Sequence, residues 1–144
     1  MLFRSNAERY RPNWELYHSV ARNGETLEEY ARKEAAGEAH TGETPPALIQ
    51  ALTEYADRME ALLEAIDSDS DQCARLLSDF KAIVFFTRCM CEKCRAALWI
   101  LKYKYTQDEN CAGDLRNIEK ALNHLEASVA YYRQLTRLTA KTYL

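Results

Sequence analysis

Apolar side chains recur along this chain at steps of three and four, the period of a helix face rather than of a strand. Leu48, Leu52, Tyr55, Met59, Leu62 and Ile66 draw one stripe and predict a helix over about 45–66. Thr44-Pro45-Pro46 marks its start, because proline in the first helical position loses no hydrogen bond. Asp67-Ser68-Asp69-Ser70-Asp71 closes it and supplies an N-cap for the next element. That element runs over about 71–106. Cys73, Leu77, Phe80, Val84, Thr87, Cys91, Cys94, Leu98, Leu101 and Tyr105 alternate steps of four and three, and no Gly or Pro interrupts them. At 1.5 Å per residue the helix is about 50 Å long. A second column, Leu76, Ile83, Met90 and Ala97, is expected to widen its buried face, and Phe85, Phe86, Trp99 and Ile100 add apolar surface on the other side. A helix apolar over most of its circumference is a central one.

Gly113-Asp114 opens a last helix over about 114–141, from which Leu115, Ile118, Leu122, Leu125, Val129, Tyr132, Leu135 and Leu138 are expected to face inward. A shorter helix, about 26–36, begins at Thr26-Leu27-Glu28-Glu29, the pattern of a capping box, and ends at Gly37, a left-handed cap. Residues 1–24 show no clear helical period and read as an irregular arm. Long amphipathic helices joined by short loops pack antiparallel. The fold class is therefore all-α: an antiparallel bundle of three long helices with a short extra helix and an N-terminal arm, expected to form one domain over 1–144. No internal repeat of convincing period emerges.

Composition agrees. Four Gly and three Pro among 144 residues are too few for a many-stranded β-protein, and 47% apolar with 28% charged residues is a globular balance. The net charge of −3 is spread along the chain and gives no basic footprint for nucleic acid. No apolar run reaches the length of a membrane span. The opening Met1-Leu2-Phe3-Arg4-Ser5-Asn6 lacks the apolar region of a secretory signal, which fits either a cytoplasmic protein or one domain of a longer exported chain.

Candidate chemistry is thin. Five cysteines (Cys73, Cys89, Cys91, Cys94, Cys111) cannot all pair within one chain, and reduced thiols are expected. Cys89-Met90-Cys91-Glu92-Lys93-Cys94 falls within the central helix, where positions 89 and 91 lie about 200° apart and cannot converge on one ion. The Asp67–Asp71 run imitates a calcium loop, but Gln72 and Ser78 stand where that loop needs glycine and glutamate. His18, His40 and His124 are scattered, with no nucleophile elbow or metal-binding helix motif. No catalytic residue, metal or cofactor is expected. One surface merits interest: Lys81, Arg88, Arg95 and Lys102 repeat every seven residues along the central helix, with Phe85, Glu92 and Trp99 beside them. Phe85, Arg88, Arg95, Trp99 and Lys102 could stack on a sugar or anchor a protein partner. Alternatively, Trp14, Leu16 and Tyr17 of the arm cover that flank, which is the favoured expectation because so apolar a stripe is a liability when bare.

Two stretches carry a resemblance. Thr26-Leu27-Glu28-Glu29-Tyr30-Ala31 with Gly42-Glu43-Thr44-Pro45-Pro46, and Gly113-Asp114 with Lys120-Ala121-Leu122-Asn123-His124-Leu125-Glu126-Ala127 and Tyr131-Tyr132, resemble the α-helical C-terminal accessory domain of exported bacterial glycoside-hydrolase-like, polysaccharide-handling proteins. The resemblance covers about 24–140. It implies a non-catalytic accessory or scaffold domain of a larger carbohydrate-active protein, with its partner a neighbouring domain and an exported or periplasmic location. It carries no catalytic residue over, and five cysteines sit oddly with an oxidising compartment. The alternative is a stand-alone cytoplasmic helical-bundle interaction module or homodimer, using the Phe85–Trp99 flank.

Overall fold

The helix ends follow from local chemistry. A computed structural model describes residues 24–67, 70–106 and 114–143. Among these are four helices: α1 (Leu27–Ala36), α2 (Pro45–Glu64), α3 (Asp71–Tyr105) and α4 (Leu115–Tyr143). The Thr26 hydroxyl accepts from the Glu29 N–H at 3.1 Å while the Glu29 carboxylate accepts from the Thr26 N–H at 2.9 Å, the reciprocal capping box. Gly37, at φ 65°, ends α1 by turning its N–H back onto helix carbonyls. Pro45 and Pro46 open α2, and the Ser70 hydroxyl caps α3 by accepting from the Cys73 N–H at 3.2 Å. Between α1 and α2 the chain closes on itself: the Glu25 N–H donates to the Glu43 carbonyl at 3.0 Å. Gly24 permits that approach, since a Cβ there would meet the Glu43 oxygen at 2.6 Å.

The architecture is an all-α bundle around α3, against which α1, α2 and α4 all pack. Its most extensive partner is α4. Ser78 meets Thr142 at 2.6 Å, Cys89 Sγ lies 3.4 Å from Ser128 Oγ, and Glu92 meets His124 at 2.6 Å. The order of these pairs makes α3 and α4 antiparallel. α2 is antiparallel too, with Ala56 and Leu63 packed on Val84 at one end and Thr53 bonded to Arg95 toward the other. No helix among the described residues is long and apolar enough to cross a membrane. The arm, including Trp14, Leu16 and Tyr17, lies outside the described residues, as do Ser68, Asp69 and Cys111.

The stripes that periodicity suggests hold in part: along α3, Cys73, Leu77, Val84, Thr87, Cys91, Cys94, Leu98, Leu101 and Tyr105 are buried or half-buried, as are Met59, Ile118, Leu135 and Leu138 on the other helices, but the remaining faces differ. In α4 the buried residues are Asn117, Ala121 and Ser128, while Leu115, Leu122, Leu125, Val129 and Tyr132 are exposed. In α2 the inward residues are Pro45, Ile49, Ala56 and Leu63, and Leu48, Leu52, Tyr55 and Leu62 are exposed, as is Ile66 just beyond its end. The α3 column Leu76, Ile83 and Met90 is likewise exposed, together with Phe80, whereas Cys89 and Ala96 are buried. Between α3 and α4 the physical reason is size: Cys89, Ala121 and Ser128 are small enough to let the helix backbones approach, and the contact then turns the larger apolar groups of α4 outward.

A substitution pair tests this orientation. Ala121 is 1% exposed and Leu122 54% exposed. Ala121→Leu should lower unfolding free energy by about 1–3 kcal/mol through overpacking, whereas Leu122→Ala should change it by less than about 0.5 kcal/mol. Chemical denaturation of the two variants decides, and the reverse ranking would show that α4 is turned the other way.

Candidate functional site

Steps of four and three along α3 place Arg95, Trp99 and Lys102 on one face. Tyr30 and Glu34, one turn apart on α1, and His124 on α4 close around them. Together they line a cleft of about 540 Å³ between α1, α3 and α4. α1 is held there by Glu28, whose carboxylate accepts from Tyr105 Oη at 2.7 Å and Lys104 Nζ at 2.9 Å. Those two donors keep the Glu28 pKa below its ordinary value.

Beneath the cleft, Glu92 joins the helices. One carboxylate oxygen accepts from Arg95 at 2.5 Å and the other lies 2.6 Å from His124 Nδ1. Arg95 also donates to Thr53 Oγ1 at 2.8 Å, so one polar chain spans α2, α3 and α4. Trp99 is half-buried, and two ammonium groups rest against its ring: Lys120 Nζ at 4.2 Å and Lys102 Nζ at 5.2 Å from the centroid. Among the described residues no carboxylate lies within ion-pair distance of either lysine.

A second polar cluster backs the α1 wall. The Glu25 side chain, 3% exposed, accepts from Lys33 Nζ at 2.7 Å and from the Thr41 N–H at 2.8 Å, and lies 2.7 Å from His40 Nδ1. Led by the Lys33 contact, these partners outweigh desolvation and hold the Glu25 pKa down at about 2. His40 Nε2 faces Glu34 at 2.8 Å, and its ring stacks on Tyr30 with centroids 4.5 Å apart. With carboxylates at both nitrogens, Glu34 first and Glu25 second, His40 holds its proton above the ordinary histidine range.

Of the residues singled out by spacing, Arg95, Trp99 and Lys102 meet in this cleft. Arg88 lies apart. Its guanidinium reaches Asp57 at 2.7 Å and Glu60 at 2.6 Å on α2, with Tyr131 of α4 beside it, and those carboxylates, Glu60 foremost, raise its pKa further. Phe85 is half-buried and does not line the cleft. His124, Lys120, Tyr30 and Glu34 come to the site from other helices and share no spacing with the α3 series. Lys120 and His124 share the helical four-step, as do Tyr30 and Glu34, but only tertiary packing brings those pairs to Trp99.

The cysteines diverge, as their helical positions require. Cys89 turns to Ser128 on α4, and the Cys91 thiol points 3.9 Å from the Ile49 carbonyl on α2. Burial pushes the Cys91 and Cys94 thiols up, away from thiolate character. Among the described residues no three His, Cys, Asp or Glu side chains gather as metal ligands. On a neighbouring face of α3, Leu48, Leu52, Phe86 and Met90 line an apolar groove of about 440 Å³ between α2 and α3, bounded by Leu27 at the start of α1.

No family model matches the chain, and no curated protein does. Among solved structures it is similar to a GH138 enzyme targeting pectin rhamnogalacturonan II, at 28% identity and a TM-score of 0.70. The similarity covers 84% of this chain and 17% of that one, so the chain spans about a sixth of the enzyme's length.

The Glu25–His40 cluster predicts a bounded pH window for α1 and its loop. Glu25 has a depressed folded pKa, so its contribution is present above the ordinary carboxylate range and fades as pH falls toward about 2. His40 has a raised folded pKa, so its contribution is present below the ordinary value of about 6.5 and is lost as pH rises through the folded value. The exchange protection of the Thr41 amide, corrected for intrinsic rate, should be highest near pH 5–6 and fall on both sides. His40→Gln should remove the alkaline limb and keep the acid limb. Flat protection across that range would count against the cluster.

Proposed function

We propose that this chain is a non-catalytic helical accessory domain of a larger carbohydrate-active protein, folding as one unit and stabilising a neighbouring catalytic domain. The observation that carries this reading is the similarity at 28% identity to part of a GH138 enzyme. The outer surface supports it. Leu115, Leu122, Leu125, Val129 and Tyr132 on α4, and Ile83, Phe86 and Met90 on α3, are exposed in rows rather than singly. Apolar rows of that kind mark contact surfaces. Two carboxylates at or beneath the cleft already have cationic or histidine partners: Glu92 has Arg95 and His124, and Glu34 has His40.

The same rows favour a second reading, a helical interaction module or homodimer. The groove lined by Leu48, Leu52, Phe86 and Met90 then replaces the Phe85–Trp99 flank as the interface.

Co-expression with the catalytic domain encoded in the same reading frame separates the two. The accessory reading expects no glycoside turnover by the chain alone and a rise of several degrees in the catalytic domain's Tm when the chain is attached. Val129→Asp with Leu122→Asp should abolish that rise while leaving the chain's own helicity intact. Turnover by the purified chain defeats the non-catalytic assignment. A start and stop bracketing these residues, with a concentration-dependent dimer in sedimentation, favours the second reading.

A further inference from the structure

We propose that the cleft between α1, α3 and α4 binds an anionic sugar, with the ring of a hexuronate lying on Trp99 and its carboxylate held by Lys102 and Lys120. The choice of a sugar rests on the carbohydrate reading above; the requirement for negative charge rests on the cleft's own side chains.

The charges around Trp99 do not cancel. Arg95 is neutralised by Glu92 and also bonded to Thr53, and Glu34 is matched by His40. Lys102 and Lys120 remain without a direct ion pair among the described residues, one from α3 and one from α4 with Asp114 in its wider electrostatic reach, both exposed and both leaning on the indole. An ammonium over an aromatic face gains little where water still reaches it. A ligand carboxylate can therefore draw both lysines off the ring at small cost, which uncovers the indole for the apolar C–H face of a pyranose. The aromatic surface and the anion site thus become available in the same movement.

The surroundings suit a polyhydroxylated ring. The Glu34 carboxylate can accept from sugar hydroxyls, and Tyr30 of α1 and His124 of α4 line the same cleft. A volume of about 540 Å³ takes a short oligosaccharide rather than a polymer groove. Nucleic acid is a poorer fit, because two lysines on a chain of net charge −3 give little counterion release.

The test uses the full chain with tryptophan fluorescence in a Trp14→Phe background and ¹H–¹⁵N titration. The probes are digalacturonate, its dimethyl ester and inorganic phosphate, each at low and at physiological salt. Digalacturonate should bind roughly fivefold to tenfold more tightly than the uncharged ester, with the preference shrinking in salt. Lys102→Gln with Lys120→Gln should erase that preference, and Trp99→Ala should weaken acid and ester alike by about tenfold. Lys81→Gln, on α3 outside the cleft, should change nothing. If Trp99→Ala does not fold, Trp99→Leu with circular dichroism as the check replaces it.

Equal binding of acid and ester, binding of phosphate as tight as digalacturonate, or no binding of either sugar overturns the proposal. Each of those results leaves the accessory reading standing if the chain still raises the catalytic domain's Tm. Sugar binding without any such rise defeats the accessory reading instead.

Discussion

The structure depends on how closely α4 can approach α3. Cys89 and Ser128 meet at the centre of that seam, with Ala121 buried further along it, and none of them is larger than a few heavy atoms. Close approach sets the antiparallel register, and the register sets the partners. It places Thr142 on Ser78 at one end, His124 on Glu92 beyond the middle and Lys120 on Trp99 at the other end. A seam of leucines would hold the helices farther apart and separate these pairs. The cost of the tight seam is visible outside it, because apolar groups excluded from a small-residue contact have nowhere to go but the surface.

α1 is a different kind of element. It is ten residues long, below the length at which an isolated helix is stable, and it depends on its ends and on what it touches. Glu28 fastens it to Lys104 and Tyr105, and the Glu25 carboxylate gathers Lys33, His40 and the Thr41 amide beneath it. Because Glu25 is nearly buried, its charge is tolerable only while those donors are present. The α1 wall of the cleft is therefore held by polar chemistry, whereas the α3–α4 floor is held by packing.

Helix number, order and ends were legible in the sequence because they rest on local rules. Thr26 with Glu29, Gly37, Pro45 and Ser70 each act within one turn of their own position. Which face of each helix is buried was less legible. A periodic stripe such as Leu115–Leu122–Leu125–Val129 says that a helix has an apolar side, and by default that side is assigned to the core. Here Ala121 and Ser128 are buried on the α4 side that meets α3 at Cys89, and they fit there because they are small. Burial depended on the partner's shape, which a single helix's pattern does not contain. The same limit applies to the cleft: the α3 residues Arg95, Trp99 and Lys102 could be picked out by spacing, but His124, Lys120, Tyr30 and Glu34 arrive from other helices.

The seven-residue series on α3 shows why spacing alone does not define a site. Arg88, Arg95 and Lys102 occupy equivalent positions on the same helix, yet their environments differ because the neighbouring helices differ. Opposite Arg88, α2 presents Asp57 and Glu60, and the guanidinium becomes a tie between helices. One repeat on, Arg95 meets the Thr53 hydroxyl of α2 and the carboxylate of its own helix's Glu92, so its charge is matched but it still reaches the cleft wall. One repeat further, Lys102 finds no acid among the described residues and settles on Trp99. Positive charge is thus committed to structure at one end of the series and left over at the other. That leftover charge lies beside the half-buried tryptophan, in the part of α3 covered by the short helix α1, and this coincidence, more than any motif, makes the cleft a place for an anion with an apolar face.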